Sequence, residues 1–266
     1  MDLNTLFGVK GKVVLVTGGA KGIGRMIATG FAVNGAKVYI TGRDAPACHA
    51  AVAELQSLAR LGGSIHALPA NLQNLRECES LVAELARLEP SAGLHVLVNN
   101  AGATWGADFD THPDAAWTKL LTLNLQRAFT LTQLCLPLLE KAASRDDPAR
   151  VIHIGSIDGL RVPTMANFAY SASKAGLHHL SRHIARDLGA RNVTSNVLAC
   201  GPFRTKMMKA TLDAAEDALK ENIPLGRIGR DEDVAGSAVF LASKAGAYLN
   251  GALIRVDGGA SLVAKI

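Results

Sequence analysis

The chain has 266 residues, 48% hydrophobic and 19% charged, which is enough for one large core, and no Pro/Gly/Ser-rich linker divides it. The net charge of +5 is spread along the chain rather than gathered beside stacking aromatics, which argues against nucleic acid as a partner. No apolar run approaches the roughly 20 residues that cross a bilayer, and the N-terminus lacks a signal-peptide pattern. We therefore expect a soluble, cytoplasmic protein, not a membrane protein, with a single domain over residues 1–266.

The cysteines and the last residues bear on the cellular compartment. The four cysteines are scattered without a C-x-x-C pair, so we expect reduced thiols inside a cell. The final residues Ala264, Lys265 and Ile266 loosely resemble a peroxisomal targeting tripeptide, although a frayed terminus explains them as well.

Hydrophobic periodicity predicts strands that alternate with helices from residue 13 onward. The β-branched run 13–16 ends in a glycine cluster, after which Ile23, Ile27 and Phe31 recur every four residues, as on one face of a helix. The other predicted strands lie at 37–41, 64–68, 95–98, 150–154, 193–198 and 252–256. The other predicted helices lie at 47–60, 75–88, about 113–141, around Tyr170, and 231–242.

The strands are continuously apolar rather than alternating, which is typical of a parallel sheet covered by helices on both faces. We therefore predict an α/β fold with a Rossmann-like, doubly wound sheet of seven parallel strands. Ligands of such sheets bind beyond the carboxyl ends of the strands, where the winding reverses.

A glycine-rich turn follows the first predicted strand. Gly18, Gly22 and Gly24 lie where the strand gives way to a helix. Glycine lets the backbone approach a pyrophosphate closely, and a helix N-terminus offers unpaired N–H groups. Because the turn lies directly between a strand and a helix, we predict a dinucleotide site here rather than a simple turn.

The end of the second strand indicates which dinucleotide binds. An NAD site usually has a carboxylate there for the ribose hydroxyl, whereas this chain has Gly42 and Arg43. Lys21 and Arg43 could together bind a 2′-phosphate through charge-assisted hydrogen bonds, which favours NADP(H). The alternative is that both are solvated cations near loops.

Tyr170 and Lys174 suggest the chemistry. They lie four residues apart in a predicted helix, so both side chains project from one face. A phenol ordinarily holds its proton up to about pH 10, but a nearby ammonium favours the phenolate and suits the tyrosine to acid–base catalysis. The spacing alone also fits an amphipathic helix with a solvent-reaching lysine.

Several motifs, in one order along nearly the whole chain, resemble those of classical short-chain dehydrogenases/reductases. They are Thr17-Gly-Gly-Ala-Lys-Gly-Ile-Gly24, Asn99-Asn-Ala-Gly102, Asn124, Ser156, Tyr170-Ser-Ala-Ser-Lys174 and Val256-Asp-Gly-Gly259. The resemblance implies that Ser156 polarises a carbonyl, Tyr170 transfers the proton, and Lys174 binds the nicotinamide ribose and lowers the pKa of the tyrosine. It further implies that Asn124 joins a water relay and that Asn99 supports the sheet near the cofactor.

The same resemblance implies which segments and residues serve the cofactor. The cofactor-binding half would span about 8–150 and the catalytic and substrate half about 150–266, with a substrate lid at about 203–226. Besides Lys21 and Arg43, the expected NADP(H) contacts are Thr17, Gly18, Gly22, Ile23, Gly24, Asn71, Leu72, Asn99, Ala101, Gly102, Tyr170, Lys174, Gly201, Phe203 and Thr205.

Three features depart from the family pattern. Ser156 precedes Tyr170 by 14 positions, one more than is usual, so the loop between them should be longer and could reshape the substrate entrance. Asn71 replaces an aspartate that often contacts adenine, and its amide oxygen can still accept a hydrogen bond. Cys200 precedes Gly201 where the family usually has Pro-Gly, which changes the contact expected with the carboxamide of the cofactor.

The segments 99–106, 148–156 and 223–229 resemble those of 3-oxoacyl-carrier-protein reductases, particularly the branch named for rhamnolipid biosynthesis. The first hypothesis is therefore NADPH-dependent reduction of a 3-oxoacyl thioester, bound to a carrier protein or to CoA. The alternatives are another ketone or secondary alcohol, such as an aromatic polyketide, a cyclic ketone, a polyol or a steroid-like compound, and a nucleotide-binding regulator without catalysis. Met207, Met208 and Leu212 in the lid suit irregular apolar substrates.

The sequence also bears on partners and on metal binding. The resemblance implies a homotetramer, or else a homodimer. An acidic carrier could dock on basic residues, for which the candidates are Arg161, Arg182, Arg186, Arg204 and Lys206. His179 and His183 have the i, i+4 spacing of helical metal ligands, but no third ligand is evident, so we expect no metal site.

Overall fold

The computed structural model describes residues 2–263, so the C-terminal tripeptide lies outside the described residues. A parallel sheet of seven strands forms the centre of the molecule, in the order β3-β2-β1-β4-β5-β6-β7. The strands are β1 (Val13–Thr17), β2 (Lys37–Thr41), β3 (Ser64–Ala67), β4 (Val96–Asn99), β5 (Ala149–Ser156), β6 (Val193–Cys200) and β7 (Leu253–Val256). The predicted doubly wound α/β fold is confirmed.

Helices cover both faces of this sheet. They are α1 (Leu3–Phe7), α2 (Gly22–Val33), α3 (Ala45–Gln56), α4 (Leu75–Leu88), α5 (Asp114–Leu121), α6 (Arg127–Ala142), α7 (Phe168–Leu188), α8 (Lys209–Glu221) and α9 (Asp231–Ala242). One apolar cluster packs α2, α3 and α9 against one face of the sheet, and a second packs α4 and α6 against the other face. Among the described residues, no helix combines the length and apolarity that crossing a membrane requires.

Helix α3 differs from its predicted range of 47–60. It begins two residues earlier because the Asp44 carboxylate accepts a hydrogen bond from the Ala47 N–H at 3.0 Å and caps the first turn. It ends at Gln56, before Leu61 and Gly62, whose positive φ angles of 55° and 86° are incompatible with a right-handed helix.

The predicted long helix at 113–141 is also divided. Helices α5 and α6 are joined by a π-helical turn, Thr122–Gln126, which contains Asn124. Such a turn accommodates an extra residue in the helix and is frequent at functional sites. Strands β5 and β6 extend beyond their predicted ends, so Ser156 and Cys200 are the last residues of paired strands.

Candidate active site

The predicted site residues gather at the carboxyl ends of the central strands. Strands β1 and β4 are neighbours at the point where the strand order reverses, and they end at Thr17 and Asn99. Strand β5 lies beside β4 and ends at Ser156. A crevice at this reversal point is where open α/β sheets bind their ligands.

The glycine turn between β1 and α2 is closely packed. Gly18 and Gly22 have φ angles of +64° and +53°, which disfavour residues with a Cβ atom. A Cβ atom on Gly24 would lie 2.4 Å from both the Gly18 oxygen and the Asn100 Nδ2. At these glycines no side chain covers the backbone at the N-terminus of α2. A pyrophosphate could therefore approach the backbone N–H groups closely.

Thr17 and Asn100 join the glycine turn to the segment after β4. The Thr17 hydroxyl donates to the Val98 oxygen at 3.1 Å and accepts from the N–H groups of Asn100 and Ala101, both at 2.9 Å. The Asn100 amide donates to the Thr17 oxygen at 2.7 Å and to the Gly18 oxygen at 3.3 Å. The donor and both acceptor positions of the Thr17 hydroxyl are therefore used within the protein. A cofactor could contact Thr17 only through the backbone of this residue.

No role was predicted for Asn100. Consecutive residues at a strand end point to opposite faces, so Asn99 and Asn100 cannot serve the same neighbours, but the partners of Asn100 are backbone oxygens, which leave no pattern in the sequence. Asn99 turns the other way and donates to the Ala128 oxygen at 3.3 Å and to the Thr132 hydroxyl at 3.2 Å. It therefore ties the end of β4 to α6.

The side chains expected at the adenosine end are at the surface. Lys21, just before α2, and Arg43, just after β2, are exposed, and their side chains form no hydrogen bond or ion pair with the residues that the structure describes. The Asn71 Oδ1 accepts from the Gln73 N–H at 3.2 Å, and Leu72 is buried. Both cations are thus available to an anionic ligand.

Residues after β6 approach the glycine turn from the other side. A Cβ atom on Gly22 would lie 3.2 Å from the Thr205 Cγ2, which places Thr205 beside the turn. A Cβ atom on Gly201 would lie 2.7 Å from the Asp257 Cβ, so Gly201 is required for close packing. The Phe203 side chain is only 2% exposed, so Phe203 could contact a cofactor chiefly through its backbone.

Asn124 in the π-helical turn holds the segment after β4 in place. Its Oδ1 accepts from the Ala103 N–H and its Nδ2 donates to the Ala103 oxygen, both at 2.9 Å. The Nδ2 also donates to the Ser173 hydroxyl at 3.0 Å. The Asn124 side chain thus connects Ala103 to α7, and both N–H donors of its amide are used.

A small cavity of about 10 Å³ lies between these elements. Its polar lining includes Asn99, Asn124, Lys174 and Arg127. A cavity of roughly this size accommodates one water molecule when polar partners surround it. The arrangement is compatible with the water relay expected near Asn124.

Tyr170 and Lys174 lie on the face of α7 that meets the end of β5. The Lys174 ammonium donates to the Ile154 oxygen at 2.7 Å and lies 5.7 Å from the centre of the Tyr170 ring. The Ser156 Oγ accepts from the Asp158 N–H at 3.1 Å, and its hydrogen bond to Tyr170 favours the phenolate. The structure therefore brings the three residues together.

The pKa of Tyr170 lies above its ordinary value. Burial, helped by the charge of Asp158, raises it to about 12 and outweighs the hydrogen bond to Ser156, which lowers it. Burial also lowers the pKa of Lys174 to about 8, because the charged ammonium is poorly solvated. The expectation that Lys174 lowers the pKa of Tyr170 stays a prediction, because desolvation sets the direction of the shift in this arrangement.

The predicted lid packs against the turn that follows Ser156. Ile157, in that turn, shares an apolar cluster with Ile223, Ala260 and Leu219. Helix α8 within the lid is kinked at Ala215, where φ is −154°. Met207 stays 48% exposed, so an apolar surface remains available on the lid.

The segment between Ser156 and α7 borders a groove of about 700 Å³. Aromatic side chains line it, namely Phe109, Trp117 and Phe168, together with residues 158–163. On α7 the lining residues are Phe168, Ser171, Ala172 and Ala175, which do not include Tyr170. The loop between Ser156 and α7 therefore contributes to a groove beside this helix.

The paired histidines of α7 lie at the surface. The rings of His179 and His183 have centres 5.0 Å apart, and the Arg182 guanidinium lies 3.2 Å from the His179 Nδ1. Within residues 2–263, no group of three or more His, Cys, Asp or Glu side chains could hold a metal ion.

Comparison with known proteins agrees with this geometry. The profile of the family described as Enoyl-(Acyl carrier protein) reductase matches residues 18–261. The rhamnolipids biosynthesis 3-oxoacyl-[acyl-carrier-protein] reductase of Pseudomonas aeruginosa is 41% identical over 97% of this chain and 99% of its own length. The 3-oxoacyl-[acyl-carrier-protein] reductase FabG of Aquifex aeolicus is 34% identical over 94% of this chain and 98% of its own length.

A solved structure gives the same result. The Pseudomonas aeruginosa RhlG/NADP active-site complex has a TM-score of 0.91 and 40% identity, covering 97% of this chain and 99% of that chain. The sequence motifs, the sheet order and these matches over almost the full length agree with one another. The chain therefore belongs to the short-chain dehydrogenase/reductase family.

Proposed function

We propose that the protein is an NADP(H)-dependent oxidoreductase that reduces a ketone to a secondary alcohol. The observation that carries this proposal is the convergence of Ser156, Tyr170 and Lys174 where β5 meets α7. Strand β4 lies between β5 and β1, so this position is one strand away from the glycine turn that follows β1. A proton donor and a dinucleotide site would thus face one crevice.

The proposed reaction joins a hydride and a proton to the carbonyl group. Bound NADPH would supply the hydride to the carbonyl carbon. As negative charge develops on the oxygen, the hydroxyl groups of Ser156 and Tyr170 would donate hydrogen bonds to it. Tyr170, whose pKa of about 12 keeps it protonated at neutral pH, would transfer its proton to that oxygen.

The remaining residues would prepare the site for the next turnover. The Lys174 ammonium would stabilise the phenolate left on Tyr170, and a water in the cavity beside Asn124 could return the proton. The two exposed cations, Lys21 and Arg43, support a preference for NADP(H) over NAD(H). The relative named as an NADP complex supports it as well.

The proposed substrate is a 3-oxoacyl thioester. The names of the relatives support this class, as does the apolar surface of the lid over residues 203–226. The cofactor-binding half would be about 8–150 and the catalytic and substrate half about 150–266. Of the five candidate carrier contacts, Arg204 pairs with Glu216 and Arg186 with Asp187. Arg161 donates to the Ala260 oxygen and Arg182 contacts His179, so Lys206 is the candidate whose side chain has no partner among the described residues.

The test is a substrate panel combined with Tyr170→Phe. NADPH and NADH oxidation would be followed with 3-oxoacyl thioesters, cyclic ketones and aromatic ketones. We expect thioesters with NADPH to give the highest kcat/KM, and Tyr170→Phe to lower kcat by roughly 100-fold or more, because the general acid is lost. Tyr248→Phe is a matched control, because Tyr248 is fully exposed.

Three results would contradict the proposal in different ways. Unchanged turnover in Tyr170→Phe would remove the tyrosine from the mechanism, and no turnover in any arm would favour a nucleotide-binding regulator. Faster turnover of a cyclic or aromatic ketone would keep the reaction and change the substrate class.

The assembly that we propose is a homotetramer, with a homodimer as the alternative. The exposed aromatic residues support it, since Phe109 is 80% and Phe129 46% exposed. Light scattering after size-exclusion chromatography would measure the mass in solution. A monomeric mass would contradict both forms.

A further inference from the structure

Helix α7 carries another buried polar side chain on the same face as Tyr170 and Lys174. His178 follows Lys174 by four residues, as Lys174 follows Tyr170, so all three project from one face of the helix. The His178 side chain is only 4% exposed. The acid–base roles proposed above do not account for a buried imidazole at this position.

The end of β5 explains what His178 contacts. Strand β4 ends at Asn99, which pairs with His153, so the last three residues of β5 extend beyond β4. The Lys174 ammonium binds the Ile154 oxygen at 2.7 Å, and the Ser156 N–H donates to the His178 Nε2 at 3.4 Å. Two side chains of α7 thus supply the donor and the acceptor that a neighbouring strand would otherwise provide.

Two glycines make room for the imidazole ring. A Cβ atom on Gly155 would lie 2.4 Å from the His178 Nε2, and a Cβ atom on Gly159 would lie 2.7 Å from its Cε1. The ring therefore fills the space between the end of β5 and the turn after it. Ser156 lies between these two glycines, so the ring braces the backbone on both sides of Ser156.

The ring is in the protonation state that this contact requires. Burial, together with the charges of Lys174 and Arg182, lowers the pKa of His178 to about 4. The imidazole is therefore neutral near pH 7, and Nε2 can accept from Ser156 when the proton is on Nδ1, which is buried and has no partner among the described residues. The neighbouring His153 is neutral as well, because burial lowers its pKa to about 3.

We propose that His178 is a positioning residue, which holds the Ser156 backbone so that the Ser156 hydroxyl faces the substrate carbonyl beside Tyr170. This role rests on the proposed ketone reduction. It makes α7 the support for all three groups, since Tyr170 and Lys174 are part of the helix and Ser156 is bound to it through His178.

The experiment compares four variants in ketone-dependent NADPH oxidation. His178→Leu removes the acceptor, and we expect kcat to fall about tenfold, the change produced by about 1.4 kcal/mol of lost transition-state stabilisation. The Kd for NADPH should stay unchanged. His178→Gln can present an oxygen near the position of Nε2 and should recover most of kcat, whereas the shorter His178→Asn should not. His183→Leu on the exposed face is the control.

A double-mutant cycle separates positioning from general packing. If His178 acts through Ser156, adding His178→Leu to Ser156→Ala should reduce kcat no further than Ser156→Ala alone. Additive losses, or a His178→Leu variant that melts earlier but keeps its kcat, would overturn the inference. Should His178→Leu fail to fold, the Gln and Asn variants decide, because equal kcat in both would overturn it.

The cycle also distinguishes this inference from the proposed function. If the unmodified protein oxidises no NADPH with any ketone, the proposed function itself fails. Normal oxidation with additive losses would remove only the role of His178.

Discussion

Burial shifts the pKa values of two side chains of the site in opposite directions. Burial raises the pKa of the acidic phenol of Tyr170 to about 12 and lowers that of the basic ammonium of Lys174 to about 8. Both shifts favour the neutral form of the side chain. At neutral pH the phenol therefore retains its proton for transfer, while Lys174 is still charged.

This difference predicts the pH dependence of ketone reduction. As the pH rises through about 8, Lys174 loses its proton and can no longer stabilise the Tyr170 phenolate, whereas Tyr170 stays protonated. We expect kcat/KM for reduction to fall above about pH 8, a limb that reports the free enzyme. A profile measured between pH 6 and 10 would show it. Lys174→Arg should lose this limb, because arginine stays charged, and an unchanged limb in that variant would assign it to another group.

Two exposed residues should determine the choice of cofactor. Lys21→Ala and Arg43→Ala each remove a charge that would bind the 2′-phosphate, so we expect KM for NADPH to rise roughly tenfold while KM for NADH stays constant. Steady-state kinetics with both cofactors would measure this. Arg60→Ala, which removes another exposed arginine, should leave both KM values unchanged. Equal increases for NADPH and NADH would indicate a general effect on the site.

At the scale of the elements, the π-helical turn between α5 and α6 has a definite structural use. It places the Asn124 side chain where it can bind both backbone groups of Ala103 and the Ser173 hydroxyl. The segment after β4 and helix α7 are thus joined through a single amide. We therefore expect Asn124 to support both the π-helical turn and the position of the segment after β4.

Replacing Asn124 tests this connection. Asn124→Ala removes three hydrogen bonds and leaves Ala103 unpaired, so the free energy of unfolding should fall by about 2–4 kcal/mol. Asn124→Asp keeps an acceptor for the Ala103 N–H but buries a carboxylate beside the Ala103 oxygen, so it should lose at least as much. Urea unfolding of both variants would measure the two losses. A smaller loss in Asn124→Asp would show that the two N–H donors of Asn124 contribute nothing.

The elements also show how far the sequence determines the structure. Periodicity predicted the alternation of strands and helices because each element buries a continuous apolar face. Element ends were less predictable, since the end of α3 depends on the backbone at Leu61 and the length of β5 on its pairing with β6. The kink at Ala215 has no signal in the hydrophobic pattern.

The same distinction applies to the site. The sequence predicts that residues at strand ends, such as Ser156, lie close together, because parallel strands end at one edge of the sheet. The positions of Asn100 and His178 could not be predicted in this way, because each binds backbone atoms of another element, namely those of Thr17 and Ser156. Backbone partners leave no pattern in the sequence of side chains.

In the whole molecule, the carboxyl and amino ends of the strands have different roles. The carboxyl ends carry the site, whereas a buried ionic cluster lies at the amino ends of β1 and β5. Asp147 accepts from the Lys12 ammonium at 2.6 Å and from the Arg150 guanidinium at 2.9 Å. Arg150, only 1% exposed, also donates to the oxygens of Leu241 at 3.1 Å and Ser243 at 2.9 Å, near the end of α9.

The charges of this cluster depend on one another. Burial alone would raise the pKa of Asp147, but the hydrogen bond and charge of Lys12 and the charge of Arg150 outweigh it and lower the pKa below its ordinary value of 3.8. A carboxylate with a lowered pKa stabilises the fold fully above its unfolded pKa, and loses that contribution as the pH falls through the folded pKa. The cluster should therefore be intact at neutral pH.

Asp147→Ala should weaken the fold while preserving the chemistry. Without the carboxylate, Lys12 and Arg150 remain as buried like charges, so we expect the free energy of unfolding at pH 7 to fall by about 3–5 kcal/mol. Because the site lies at the opposite ends of the strands, kcat and KM of the folded variant should match those of the parent protein. Asp146→Ala, in the same loop but exposed, controls for the loop itself. Urea unfolding would measure the stability of the variants, and steady-state kinetics would measure their activity. A fall in kcat with unchanged stability would show that the two ends of the sheet are coupled.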